Sequence, residues 1–277
     1  MKIFVVGLGL MGASYAEKLT QKGHQVYGYD INPNYVKAAQ EDGVILDNSN
    51  LSRLSTADVV ILSLYPEHNV TFVKDHLHLF KKGAFITDIS GVKQSVVHDI
   101  ESVLREDLHY VSHHPMAGRA KEGYQHRDPD MFMNNHFLII ESERASLTDY
   151  ELIEIIGKQL GFKTLTRISA SLHDQMIAYT SQLTHMIAVS LMLGYPSKSH
   201  RFTGDSFRDL TRIANINEKL WTELFLSNQQ DLLDAVDIFK KHLIDLEKAI
   251  KNNDQETLMK LLRASREKRK DFENDPK

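Results

Sequence analysis

Apolar residues change their rhythm near position 169 of this 277-residue chain. Before it, short β-branched runs alternate with longer stretches of helical period; after it, only the helical period remains. Runs at 2–6, 25–29, 57–64, 84–87, 110–112, 136–140 and 162–166 predict strands. Stretches at 13–21, 33–40, 69–80, 95–105 and 147–160 predict helices, the last stopped by Gly161. Such alternation predicts an α/β domain with a doubly wound parallel sheet. Ligands of that architecture bind beyond the carboxyl ends of the strands. Here those loops are 7–12, 63–66, 88–93 and 113–118.

The second half predicts helices at 172–194, 205–213, 218–226, 231–251 and 254–269. Leu232, Val236, Phe239, Leu243, Leu246 and Ile250 form a seam in steps of four and three that must pack on something. Asn252, Asn253 and Asp254 break it, and the charged tail from Ser265 to Lys277 is expected to fray. We therefore expect two domains: an N-terminal Rossmann domain at 1–167 and an all-helical substrate and dimerisation domain at 168–277. So small a helical domain either closes its apolar faces in an intrachain bundle or leaves them for a second copy, and a homodimer is the expectation.

The most specific local signal is Gly7-Leu8-Gly9-Leu10-Met11-Gly12, set between the first strand and first helix, with Asp30 closing the second strand. Gly7 permits the turn, Gly9 admits a pyrophosphate, and Gly12 lets the helix approach the strand. Asp30 can accept both ribose hydroxyls and would repel a 2′-phosphate, which selects NAD over NADP. Ser63, Leu64, Tyr65 and Pro66, after the third strand, are expected beside the same cofactor.

A net charge of −4 offers no basic surface for nucleic acid or anionic membrane. No apolar run reads as a membrane span, and the first strand begins at residue 2, so a cytoplasmic protein is expected. The absence of cysteine excludes disulfides and thiolate chemistry.

His114, after a strand and before Pro115, is the candidate base. Asp209 and Arg212 are three apart on one helix face, so the acid can hold a guanidinium that grips a carboxylate. A surface ion pair explains that spacing equally well. His173, Asp174 and His185 have no spacing that builds a metal site, and no metal is expected.

Several motifs in order resemble one family, the prephenate and arogenate dehydrogenases of tyrosine biosynthesis. They are the glycine loop with Ala13-Ser14; His114-Pro115-Met116-Ala117-Gly118; His173-Asp174; Ser181-Gln182-Leu183-Thr184-His185; and Phe207-Arg208-Asp209-Leu210-Thr211-Arg212-Ile213-Ala214 with Trp221. The resemblance implies NAD+-dependent oxidative decarboxylation of prephenate, with arogenate as the alternative substrate. It implies that His114 bonds the substrate hydroxyl, Arg212 a substrate carboxylate, and that His185 lines the pocket. The family's Asp-x-x-Ser-x-Lys stands here as Asp88-Ile89-Ser90-Gly91-Val92-Lys93, its serine one place early. Ser90 is carried as a substrate contact through a different rotamer. Because the chain ends soon after the helical domain, any inhibition by tyrosine is expected to act at the active site. A non-catalytic dinucleotide sensor would be expected to lack the histidine or the arginine, and both are present. A two-domain hydroxyacid dehydrogenase would call for a lysine base in the helical half.

Overall fold

The computed structural model describes residues 1–47, 49–118, 121–196 and 200–274. Two compact units divide it, Met1–Asn228 and Gln229–Lys277.

In the first unit, β1 (Lys2–Val6), β2 (Gln25–Tyr29), β3 (Val59–Leu62), β4 (Phe85–Asp88) and β5 (His109–Tyr110) pair in parallel in the order β2-β1-β3-β4-β5. Every residue of β3 and β4 is buried, as expected for strands covered on both faces. The connecting helices are α1 (Leu10–Gln21), α2 (Pro33–Glu41), α3 (Pro66–His76) and α4 (Gln94–Glu101). α1 starts inside the glycine motif rather than at 13, because Gly9 is already its N-cap. Pro66 opens α3, where its missing N–H costs nothing.

The single expected sheet is corrected to two. The run at 110–112 ends the parallel sheet at Tyr110, and the chain then enters a second sheet of β6 (His113–Pro115), β7 (His136–Ile140) and β8 (Thr164–Ile168). β6 pairs antiparallel with β7 and β8 parallel with it, across the helix α5 (Leu147–Leu160). β6 is an edge strand, so Pro115 leaves no interior ladder bond unmade. Ser146 and Asp149 form a capping box on α5, and Gly161 ends it at φ +94°.

After β8 the first unit is helical: α6 (Ala170–Ile177), a π-turn (Ala178–Gln182), α7 (Leu183–Leu193), α8 (Asp205–Thr211) and α9 (Glu218–Ser227). α6, the π-turn and α7 form one continuous helix, Ala170–Leu193. By length and composition alone it could cross a membrane, contrary to the expectation from the sequence. Its buried face mixes His173, Asp174 and Gln182 with Ile177, Ala178, Leu183 and Ala188, whereas Leu172, Met176, Tyr179 and Met186 are exposed.

The second unit is a hairpin of α10 (Gln229–Lys251) and α11 (Gln255–Asn274). Asn253 takes φ +52° in the turn, and Asp254 caps α11 by accepting from the Thr257 N–H. α11 continues to Asn274, past Ser265 where the sequence predicts fraying; residues 275–277 lie outside the described residues. Leu243 and Ile250 of the predicted seam are exposed.

Candidate active site

The glycine loop has the shape its motif predicts. Gly7 has φ +89°, and a Cβ there would meet the Ser63 carbonyl oxygen at 2.8 Å. A Cβ on Gly12 would lie 1.9 Å from the Gly7 carbonyl oxygen. A Cβ on Gly9 would meet nothing within 4 Å, so the protein leaves open space at the N-cap of α1. That space adjoins a helix N-terminus, which suits a pyrophosphate. Asp30 is half-buried; its oxygens accept from Leu8 N–H at 2.7 Å and Asn32 N–H at 2.8 Å, keeping lone pairs for a ribose. These residues fit a dinucleotide.

Ser63 braces this loop: its hydroxyl lies 2.8 Å from the Val6 carbonyl oxygen and 2.7 Å from that of Gly7. The Leu64 N–H donates to Asn69 Oδ1, and Asn217 Nδ2 donates to the Tyr65 hydroxyl. Asn69 also donates to Ser90 Oγ at 3.0 Å. Ser90 Oγ thus accepts from Asn69, its side chain also bonds the Asp88 carboxylate, and no described hydrogen bond joins it to His114.

β4 leads into a buried polar hub. Lys93 Nζ lies 3.1 Å from Asp88 Oδ1 and donates to Ser112 Oγ and the His113 carbonyl oxygen, both at 2.7 Å. Burial works against the Asp88 carboxylate. Lys93 and the Ser112, Tyr110 and Ser90 hydrogen bonds outweigh it and hold the carboxyl well below its usual range. His113 is in the core, between Tyr15 hydroxyl and Thr87 Oγ1, with its pKa pushed down to about 3 by burial and by Lys93.

His114, the next residue, is half-buried. Its Nδ1 lies 2.8 Å from His173 Nε2 of α6, and His173 Nδ1 lies 2.7 Å from Asp174 Oδ1. No described residue bonds His114 Nε2. Burial, then His173, Lys93 and His113, push the His114 pKa well below 6.5, so the ring is neutral at pH 7. The contact with His173 was not foreseen. Its only trace in the sequence is a His-Asp pair among the apolar residues of the long helix.

His185 is about three turns further along that helix. Its ring lies on Trp221, centroids 3.7 Å apart, and its Nδ1 is 2.9 Å from the Ser181 carbonyl oxygen. Burial and the nearby Arg212 charge lower its pKa. Arg212 thus lies near enough to His185 for its charge to act on the ring. Asp209 does not join them: α8 ends at Thr211, Asp209 and Arg212 are both exposed, and no ion pair links them among the described residues. An exposed pair three residues apart gains too little to fix its geometry. Among the described residues no His, Asp or Glu cluster could hold a metal.

Residues 15–163 match the family model "Prephenate dehydrogenase, nucleotide-binding domain", and residues 169–264 match "Prephenate dehydrogenase, dimerization domain". The chain belongs to the prephenate dehydrogenase family. A prephenate dehydrogenase of Bacillus subtilis is 27% identical over 96% of this chain and 75% of its own length. Prephenate dehydrogenase from A. aeolicus, solved with hydroxyphenyl propionate and NAD+, superposes with TM-score 0.89 at 26% identity, covering 98% of both chains. Synechocystis arogenate dehydrogenase superposes with TM-score 0.84, also at 26% identity, over 98% of this chain and 100% of its own. The family match begins after the glycine loop, so the fit of residues 7–12 to a dinucleotide rests on their own geometry.

Proposed function

We propose that this chain catalyses the NAD+-dependent oxidative decarboxylation of prephenate to 4-hydroxyphenylpyruvate. The observation that carries this is His114: a neutral, half-buried imidazole with one nitrogen bonded inward and the other unclaimed by described residues. Bound NAD+ supplies a hydride acceptor for the carbinol carbon. His114 Nε2 takes the hydroxyl proton as carbonyl character develops. The ring carboxylate leaves as carbon dioxide, its bonding electrons complete the aromatic ring, and the phenolate oxygen recovers the proton from His114. Arg212 grips a substrate carboxylate, with His185 on the same wall. Gly7 to Gly12 and Asp30 hold the dinucleotide, and residues 63–66 support it mainly through their backbone. Ser90 stands behind these contacts, accepting from Asn69.

We place the NAD-binding domain at 1–167 and the helical substrate and dimerisation domain at 168–277. The end of β8 at Ile168 supports that boundary. The working form is a cytoplasmic homodimer, supported by the exposed apolar residues of the long helix and of the second unit.

NADH formation, followed by absorbance with prephenate and then with arogenate, tests the reading. Turnover of prephenate that drops in His114→Asn supports it; no NADH with either compound refutes it. Similarity to an arogenate dehydrogenase favours arogenate as a second reading, and the ratio of kcat/KM values decides between them.

A further inference from the structure

We propose that His173 and Asp174 are positioning residues that fix the tautomer of His114, leaving its Nε2 bare toward the substrate. The inference rests on the reading of His114 as the base. Asp174 is almost wholly buried and held from two sides: Oδ1 accepts from the Lys93 N–H at 2.9 Å and Oδ2 from the Gln94 N–H at 2.8 Å. Its carbonyl oxygen accepts from Asn228 Nδ2, and Asn228 in turn bonds Gln182, whose Nε2 donates to the Leu224 carbonyl oxygen. The carboxylate therefore has a fixed place at the start of α4.

A carboxylate only accepts, so the proton between Asp174 Oδ1 and His173 Nδ1 belongs to the histidine. His173 is fully buried, and burial lowers its pKa, so its ring is neutral and Nε2 carries a lone pair. That lone pair faces His114 Nδ1 at 2.8 Å, which must then be the N–H donor. Since His114 is neutral, its Nε2 has no hydrogen and can accept one. Free imidazole favours the opposite tautomer, so this chain of contacts does what the ring alone would not. When Nε2 takes the substrate proton, the positive charge is delivered through His173 toward the Asp174 carboxylate. The charged and titratable groups facing His114 are His173 and Asp174 from α6, Lys93 before α4, His113 on its own strand and Asp88 at the end of β4. The family serine whose place Gly91 takes is not needed for this arrangement.

The test uses two isosteres. His173→Asn keeps a donor near Asp174 but removes the partner of His114; His173→Gln can present an oxygen to His114 Nδ1. In His173→Asn, kcat is expected to fall about 10²-fold, with KM for prephenate and NAD+ affinity close to wild type. His173→Gln is expected to regain at least about tenfold of that loss. Independently of turnover, 15N spectra of the imidazoles, with His114→Asn for assignment, should show His114 protonated at Nδ1 in the wild type and losing that preference in His173→Asn. A wild-type His114 protonated at Nε2, or a tautomer unmoved by His173→Asn, overturns the proposal. Undiminished turnover in His114→Asn would instead overturn the base itself.

Discussion

Replacing Lys93 by methionine tests the buried hub behind the site. Both side chains of the Lys93–Asp88 pair are wholly inaccessible. The substitution keeps roughly the volume but deletes the charge 3.1 Å from Asp88 and strips one donor from the His113 carbonyl oxygen. Breaking a buried pair on one side costs about 3–5 kcal/mol. At about 2–4 °C per kcal/mol for a unit of this size, Tm should fall by about 6–20 °C. The loss should depend on pH. The depressed Asp88 carboxyl contributes stability above the ordinary carboxylate pKa, and that stability drains away as pH falls through its folded value. Without Lys93, burial is opposed only by hydrogen bonds and the carboxyl pKa rises. The deficit is then largest at neutral pH and shrinks towards pH 4. Urea denaturation at both pH values measures it. Adding Asp88→Asn should recover much of the loss, because a neutral pair has no stranded charge. A variant within about 1 kcal/mol of wild type at pH 7 would refute the reasoning, as would a deficit that ignores pH.

Gly9→Ala should fold normally yet bind NAD+ at least about tenfold more weakly, since its methyl enters space that only a ligand would use; Gly12→Ala should fail to fold the loop, and equal behaviour of the two by calorimetry and cofactor titration would contradict the geometry. Arg212→Ala should chiefly raise KM for prephenate; a fall in kcat alone would remove its ground-state carboxylate role. Because burial first, then His173, keeps the His114 pKa well below 6.5, kcat/KM should stay level as pH drops through 6.5 and decline only further down. A limb centred at 6.5 would mean that the base is not this histidine. His113, with its pKa near 3, takes up protons only on unfolding between pH 6.5 and 3, so its share of stability is lost as pH falls across that window.

The glycine loop, its flanking strands and Asp30 were legible because each is a local pattern: a short apolar run, a turn that needs glycine, an acid where a strand stops. The second sheet was not. His113-His114-Pro115 carries no alternation, and β7 is an apolar run that reads the same in either sheet. Pairing is decided by residues far apart in the chain. The His114–His173 contact spans 59 positions, and no periodicity encodes it. Lys93 stood in the sequence only as the last residue of a loop, because a charged residue reveals its burial only once its partner is known. Asp209 and Arg212 erred the other way: favourable spacing was present, but without burial nothing holds the two together.

The π-turn at Ala178–Gln182 sets the angular phase between the two ends of the long helix. A residue inserted in an α-helix rotates everything beyond it by about 100°. Removing one residue there would leave His173 seated beside His114 while swinging His185 off the face of Trp221. The widened turn is thus a rotational offset written into the backbone, setting one histidine of the rod against His114 and the other against Trp221.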